Sequence, residues 1–224
     1  ALILCAGLGE RLKPLTFKTP KPLLKLDNTT ILERCINMII EFGVKKVFLN
    51  TFHLGNQISE FIKNKKFPID IEIINDGKEI LDSGGGILNM MENSKDNDFI
   101  IFNPDTLWNK DYIDEINKMK NFYFLNKLNN ILLVTNKKFS FDTNLKGDFK
   151  LKNNLLKKND NNDLIYIGCQ ILHRSLFEKY KVSSFPISEI WNELLKKNRL
   201  NGFECSNKFY HLTNLEIFRK LQDF

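Results

Sequence analysis

The first half of the chain alternates between short apolar runs and segments with helical spacing, and this alternation restricts the fold more than any other feature. The apolar runs have strand length and lie at residues 2–5, 44–50, 69–74 and 99–102. A β-α-β-α-β order of this kind builds a mainly parallel sheet with helices on both faces. Since the runs are apolar at successive positions, burial on both faces is expected. We therefore predict a three-layer α/β/α domain with a mainly parallel, mixed sheet.

The segments between these runs carry the signals of amphipathic helices. Ile31, Cys35, Met38 and Ile39 recur at i, i+4, i+7 and i+8, and the segment 28–30 (Asn-Thr-Thr) stands before them as a start signal. Ile58, Phe61 and Ile62 predict a second helix, and Gly43 stands where the first helix would end.

The pattern loosens after about residue 120. We predict strands at 131–134 and 164–172, loops with short edge strands at 136–163, and helices at 186–197 and 213–221. No repeat or linker interrupts the chain, so one domain spanning residues 1–224 is expected.

Composition excludes several classes of protein. Of the 224 residues, 42% are hydrophobic and 27% are charged, which is typical of a globular domain and excludes a disordered chain or a fibrous repeat. No apolar run approaches the roughly 20 residues of a membrane-spanning helix. The net charge of +6 is spread along the chain, so it favours a small anionic substrate over nucleic acid. Four cysteines without short spacings indicate reduced thiols in a cytoplasmic protein, which we expect to be a monomer.

A glycine-rich turn follows the first strand directly, in the sequence Gly7-Leu8-Gly9-Glu10-Arg11. Two glycines let the backbone fold tightly and direct N–H groups toward an anion. Pro20-Lys21-Pro22 follows, where two prolines restrict the backbone around a lysine. A phosphate site is one interpretation of this loop, and a connector with solvated charges is the other. The loop lacks the third glycine of the dinucleotide fingerprint, which disfavours a nicotinamide dehydrogenase.

Several motifs together resemble a known family. Residues 4–23 (LCAGLGERLKPLTFKTPKPL) resemble the signature loop of the sugar-1-phosphate nucleotidyltransferases, and residues 50–58, 82–87, 147–149 and 164–168 resemble further segments of that family. Within the family the N-acetylmuramate α-1-phosphate uridylyltransferases are the most similar branch. The resemblance implies the Rossmann-like nucleotidyltransferase fold. It also implies a nucleotide-binding half at 1–120, a sugar-binding half at 121–224, and a nucleoside triphosphate and a sugar-1-phosphate as partners.

The resemblance also implies roles for individual residues. Arg11 would hold the β- and γ-phosphates, Lys21 would bridge the α-phosphate and the sugar phosphate, and Asp105 would bind the metal. The remaining nucleotide-binding candidates are Ala6, Gly7, Gly9, Gly84 and Gly85. Gly84 and Gly85 are expected in a turn before a helix that starts near Ile87. The sugar-side candidates are Gly147, Asp148 and Gly168.

The metal site departs from the family pattern at one position. The family supplies a second aspartate late in the chain, and His211 stands at that position here. Imidazole is a poor ligand for Mg²⁺ and a better one for Mn²⁺ or Zn²⁺. Three interpretations stay open: Asp105 binds Mg²⁺ with substrate oxygens and a weaker second contact, His211 binds a softer metal such as Mn²⁺, or the metal site is degraded, so that the chain is slow or only binds a nucleotide or sugar.

The predicted reaction transfers a nucleotidyl group from a triphosphate, with UTP favoured, to a sugar-1-phosphate, with N-acetylmuramate-1-phosphate as the first choice. The alternatives are a guanylyl or cytidylyl transferase that acts on another sugar phosphate or phosphocholine, and a catalytically impaired nucleotide-sugar-binding protein. His53 is expected to pack in its loop rather than act as a base, since it lies between apolar residues.

Overall fold

The computed structural model describes residues 1–222, which form eleven strands and six α-helices. The strands are β1 (Leu2–Leu4), β2 (Lys25–Leu26), β3 (Thr29–Thr30), β4 (Lys46–Thr51), β5 (Asp70–Asn75), β6 (Asp98–Phe102), β7 (Asn130–Asn136), β8 (Lys150–Lys152), β9 (Leu155–Lys157), β10 (Leu164–His173) and β11 (Gly202–Cys205). The helices are α1 (Ile31–Glu41), α2 (Gly55–Lys65), α3 (Asp82–Met91), α4 (Asp111–Leu125), α5 (Ser188–Lys196) and α6 (Leu215–Gln222).

Seven of the strands form one sheet in the order β11-β7-β10-β6-β1-β4-β5. β10 is antiparallel to both of its neighbours, and the other pairs of the sheet are parallel. The predicted mixed, mainly parallel sheet is therefore confirmed. The strands β2 and β3 form a small hairpin, and β8 and β9 form another in the segment that was expected to hold short edge strands.

Helices cover both faces of the sheet, as the three-layer prediction requires. On one face α1, α2 and α4 bury side chains such as Cys35, Ile58 and Ile116 against the sheet. On the other face α3 and α5 bury side chains such as Ile87 and Ile190. All four cysteines are buried free thiols, and all four pack within the first of these two layers.

The predicted signals at the ends of α1 act as expected. The Thr30 hydroxyl accepts a hydrogen bond from the Glu33 N–H at 3.1 Å, which caps the helix. Gly43 follows the last turn with a φ of +90°, the left-handed conformation that terminates helices. Sequence reasoning therefore located both ends of this helix.

Four elements were missed and one was misplaced. The fifteen-residue helix α4, the edge strand β11 and the two hairpin strands β2 and β3 were not predicted. The helix α3 begins at Asp82, so Gly84 and Gly85 lie in its first turns, and the expectation that they precede the helix is wrong. The reason is packing: these positions lie against residues 183–185, where no side chain would fit.

Within residues 1–222, no helix combines the length and the apolar character needed to cross a membrane.

Candidate active site

A cleft opens where the parallel strands β1, β4 and β6 end. The carboxyl ends of parallel strands are the usual ligand-binding edge of such a sheet. The cleft has a volume of about 330 Å³. Its lining includes six of the predicted site residues, namely Ala6, Gly7, Gly9, Arg11, Lys21 and Asp105.

The loop after β1 is compact, and its charged residues Glu10, Arg11, Lys13 and Lys18 are exposed. It contains three short 3-10 turns, at Glu10–Leu12, Leu15–Phe17 and Lys21–Leu23. Gly9 has a φ of +66°, and an added Cβ there would lie 2.7 Å from Thr16 Cγ2. The Thr16 hydroxyl in turn donates to the Gly9 carbonyl oxygen at 3.0 Å. These contacts fold the loop back on itself and hold Gly9 at the cleft.

His53, in the turn between β4 and α2, contacts this loop. Its Nε2 lies 2.7 Å from the Thr16 carbonyl oxygen. Because a carbonyl oxygen only accepts hydrogen bonds, Nε2 carries the hydrogen and donates it. The structural role expected for His53 agrees with this contact, although the contact bridges two segments rather than filling a loop.

Lys21, Asp105 and His211 meet beside the cleft, whose lining includes Lys21 and Asp105 but not His211. Lys21 Nζ lies 2.5 Å from Asp105 Oδ2, although the two residues are 84 positions apart in the chain. His211 Nε2 lies 3.1 Å from the same oxygen. The side chains of Lys21, Asp105 and His211 are 16%, 20% and 22% exposed. A carboxylate therefore faces two nitrogen groups in a partly desolvated site.

The backbone on both sides of Asp105 is held firmly. The Leu212 N–H donates to the Asp105 carbonyl oxygen at 2.8 Å, and Thr106 forms an antiparallel bridge with His211. The Thr106 hydroxyl donates to the Ile167 carbonyl oxygen at 2.7 Å. The positions of Asp105 and His211 are thus set by each other and by β10.

Two opposing effects act on the ionisation of Asp105. Burial raises its pKa, but the charge of Lys21 and the contacts with His211 and Lys21 outweigh burial and bring the pKa well below its usual range. The carboxylate is therefore ionised at any physiological pH. Its second oxygen, Oδ1, is buried and finds no hydrogen-bond partner among residues 1–222.

The side-chain oxygens of Asp105 match part of what a divalent cation requires as ligands. Mg²⁺ is commonly bound by one or two carboxylates together with phosphate oxygens and water. The unpartnered Oδ1 of Asp105 provides one such oxygen, which fits a site with a single protein carboxylate. Within residues 1–222, no three His, Cys, Asp or Glu side chains form a group that could hold a metal by themselves.

Gly84 and Gly85 do not line the cleft, whereas Asp82 and Ser83 of the same helix do. The N–H groups of both glycines donate to the Phe185 carbonyl oxygen, at 2.9 and 3.1 Å. A Cβ at Gly85 would lie 1.9 Å from the Ser183 carbonyl oxygen. The glycines thus permit close packing of α3 on residues 183–185, and their nucleotide-binding role stays a prediction.

The three sugar-side candidates also lie outside the cavity lining. Asp148 Oδ2 accepts a hydrogen bond from the Tyr166 N–H at 2.9 Å, and burial raises the pKa of Asp148. A Cβ on Gly147 would lie 2.3 Å from the Asn162 carbonyl oxygen. Gly168 has a φ of +87°, and its carbonyl oxygen accepts a hydrogen bond from the Asn103 N–H at 2.8 Å. Each position therefore has a structural reason for its residue, and a sugar contact stays a prediction.

Sequence reasoning assigned no role to Asn50 or Thr213, which both line the cleft. The Thr213 hydroxyl donates to Asp142 Oδ2 at 2.9 Å, and Asp142 is only 5% exposed. A polar residue at the end of an otherwise apolar strand run was the available signal for Asn50. Thr213 gave no such signal, because its position depends on how the chain end returns to the cleft.

The chain is similar to known proteins in both sequence and fold. Residues 1–138 match the model of a family described as nucleotidyl transferase. The bifunctional protein GlmU of Methanococcus aeolicus is 27% identical over 92% of this chain and 49% of its own length. The N-acetylmuramate alpha-1-phosphate uridylyltransferase of Caulobacter vibrioides is 19% identical over 95% of this chain and 90% of its own length. The chain thus spans about half the length of the GlmU relatives.

Solved structures share the fold over almost the whole chain. HddC from Yersinia pseudotuberculosis complexed with GMP-PN superposes with a TM-score of 0.79 at 20% identity, covering 99% of this chain and 97% of that one. A UDP-glucose pyrophosphorylase complexed with UDP-glucose superposes with a TM-score of 0.78 at 17% identity, covering 99% and 96%. The arrangement of loop, lysine and aspartate around the cleft and the match over residues 1–138 lead to one conclusion: this chain belongs to the nucleotidyl transferase family.

Proposed function

We propose that the protein transfers a nucleotidyl group from a nucleoside triphosphate to a sugar-1-phosphate. An oxygen of the sugar phosphate attacks the α-phosphorus in line, and the bond to the pyrophosphate oxygen breaks. The products are a nucleotide-sugar and pyrophosphate. The observation that carries this proposal is the contact of Lys21 with Asp105 at 2.5 Å, in a cleft that the glycine loop also lines.

The chain's own residues supply charge and alignment, which are the main requirements of phosphoryl-type transfer. The backbone at Gly7 and Gly9 brings the phosphates close to the loop. Arg11 lines the cleft and would stabilise the charge of the leaving pyrophosphate. Lys21 would contact the α-phosphate and the incoming sugar phosphate, because it lines the cleft and its ammonium lies beside Asp105.

Asp105 would hold the divalent metal, with Oδ1 as the available ligand atom. A bound Mg²⁺ would neutralise phosphate charge and polarise the α-phosphate. His211 Nε2 lies near Oδ2 of Asp105. Because imidazole is a poor ligand for Mg²⁺, His211 would join the metal site only with a softer cation such as Mn²⁺.

UTP and N-acetylmuramate-1-phosphate are the favoured substrate pair. Support comes from the similarity to the Caulobacter uridylyltransferase over 95% of this chain and from the motif resemblance. Solved structures of the same fold include one complexed with GMP-PN and one described as an inositol-1-phosphate CTP transferase, so guanylyl and cytidylyl transfer to another phosphorylated acceptor are the alternatives. We also propose that the protein acts as a monomer in the cytoplasm.

A second candidate rests on the contact between His211 and Asp105 Oδ2. If this contact replaces a metal contact, the protein would bind a nucleotide or a nucleotide-sugar without rapid turnover. This candidate predicts nucleotide binding without pyrophosphate release.

Pyrophosphate release tests both candidates. The four common nucleoside triphosphates are crossed with a panel of sugar-1-phosphates that includes N-acetylmuramate-1-phosphate, in Mg²⁺ and separately in Mn²⁺. One productive pair supports the transferase and identifies base and sugar together. If no pair releases pyrophosphate but UTP binds in calorimetry, the result supports the binding protein instead. If no nucleotide binds, both candidates are wrong.

A further inference from the structure

We infer that Asn50, oriented by Asp76, is a positioning residue for the phosphate-binding loop. The inference rests on the proposed function, because it assigns to the Asn50 amide the task of setting where the loop residues Ala6 to Gly9 meet the nucleotide. Asn50 of β4 lies among the residue after β1, the residue after β5 and the helix α3.

Asn50 stands where two neighbouring strands separate. The parallel pairing of β1 with β4 ends at Leu4 and Asn50. Beyond that point, Asn50 Oδ1 accepts a hydrogen bond from the Cys5 N–H at 2.9 Å. A side chain therefore completes the bond that the strand backbone no longer supplies, at the residue that leads into Ala6 and Gly7. This hydrogen bond lies where the loop leaves the sheet.

Asp76 determines which way the Asn50 amide faces. Asn50 Nδ2 donates to Asp76 Oδ1 and Oδ2 at 3.2 and 3.1 Å. A carboxylate only accepts hydrogen bonds, so the amide nitrogen must face Asp76 and the amide oxygen must face Cys5. The Asp76 N–H donates to the Thr51 carbonyl oxygen at 3.0 Å, which fixes the carboxylate relative to β4. The amide thus has one orientation that satisfies all partners.

Burial makes an alternative arrangement costly. Asn50 is 1% exposed and Asp76 is 7% exposed, so water cannot readily replace a lost partner. A Cβ on Gly86 of α3 would lie 2.6 Å from Asn50 Nδ2, so a glycine at that position leaves room for the amide. Three elements therefore converge on one side chain that also lines the cleft.

A charge exchange tests the inference. Asn50→Asp places a second carboxylate against Asp76, and we expect kcat/KM for the nucleotide to fall by about 100-fold, since small displacements of a positioning group have effects of that size. The KM for the sugar-1-phosphate should stay unchanged. The double variant Asn50→Asp with Asp76→Asn restores the pattern with its polarity reversed, because the amide introduced at position 76 would donate and the carboxylate introduced at position 50 would accept. It should recover most of the nucleotide kcat/KM.

Asn130→Asp is the matched control. Asn130 is the first residue of β7 and is fully buried. Its Oδ1 accepts a hydrogen bond from the Asn201 N–H at 2.9 Å, and its Nδ2 donates to the Arg199 carbonyl oxygen at 3.0 Å. This variant should lose stability without a change in nucleotide KM. If Asn50→Asp does not fold, Asn50→Ser takes its place with the same expected loss.

Unchanged nucleotide kcat/KM in Asn50→Asp, or a double variant no better than Asn50→Asp, would overturn the inference. Turnover by the parent protein separates this failure from a failure of the proposed function. If the parent binds nucleotide but does not turn over, the dissociation constants of the same variants, measured by calorimetry with UTP, replace kcat/KM. If the parent binds no nucleotide, the inference fails together with the proposed function.

Discussion

His211 Nε2 lies 3.1 Å from Oδ2 of Asp105, which places an imidazole beside the carboxylate that the proposed metal site uses. Lys21 approaches the same oxygen, so Oδ2 is doubly engaged while Oδ1 is left without a partner among residues 1–222. Oδ2 therefore contacts the two nitrogen groups, and Oδ1 is the oxygen that the proposed metal would use.

Asp105→Asn should lower kcat by about 100-fold or more, a loss typical of removing one group that stabilises charge in a transition state. The physical reason is that the variant keeps the size of the side chain but loses the charge that faces Lys21 and the proposed metal. Pyrophosphate release with saturating substrates measures the effect, and circular dichroism checks the fold. A kcat close to that of the parent would remove Asp105 from the proposed mechanism.

Lys21→Ala should lower kcat much more than it weakens nucleotide binding, because a contact with the reacting phosphates is strongest in the transition state. Lys13→Ala is the matched control: Lys13 belongs to the same loop, but its ammonium pairs with Glu10 and its side chain is 40% exposed. Rapid-mix kinetics and UTP calorimetry give the two quantities. Equal losses in kcat and affinity would make Lys21 a ground-state binding residue.

His211→Asp should lower the Mg²⁺ concentration needed for half-maximal turnover and reduce any preference for Mn²⁺. A second carboxylate beside Asp105 adds an oxygen ligand of the kind that Mg²⁺ prefers. Metal titrations of pyrophosphate release compare the variant with the parent. Should both proteins respond identically to both metals, position 211 has no part in metal binding.

The stability of the protein should depend on the ionisation of Asp105. Its pKa is lowered in the folded state, because the effect of burial is outweighed by Lys21 and His211. The unfolded chain therefore binds a proton at a higher pH than the folded protein does, so the stabilising contribution is present above the ordinary aspartate pKa of about 3.9 and is lost as the pH falls below it. Urea unfolding of the parent and Asp105→Asn at pH 7, 5 and 3 should show the difference between them shrinking only at the lowest pH. A constant difference would contradict this account.

Gly9→Ala and Gly7→Ala should have different effects. Gly9 has a positive φ and an added Cβ would contact Thr16, so the Gly9 variant should lose about 1–2 kcal/mol of unfolding free energy. A Cβ on Gly7 would meet no atom of residues 1–222 within 4 Å beyond its chain neighbours, so that variant should keep its stability. If the phosphates approach the backbone at Gly7, UTP affinity should still fall. Thermal unfolding and calorimetry separate the two effects, and unchanged affinity in Gly7→Ala would move the phosphates away from Gly7.

Local signals predicted much of the fold and part of the site. The ends of α1, the strands β1 and β4, and the glycine loop were readable because each depends on neighbours in the chain. The helix α4 was readable in principle, since its buried residues Tyr112, Ile116, Met119 and Tyr123 keep helical spacing, but the polar residues between them obscured it. The edge strand β11 has only four residues and is defined by its pairing with β7, so sequence pattern alone could not reveal it.

The sequence by itself determined the alternation of strands and helices, and with it the edge of the sheet where Gly7, Lys21 and Asp105 would lie. Tertiary structure alone decided which atoms meet there. His211 reaches Asp105 because the chain end forms a bridge at Thr106, and Asn50 reaches Cys5 because β1 and β4 separate at that point. Such contacts join residues far apart in the chain, and their geometry depends on packing between elements. No local propensity encodes that packing.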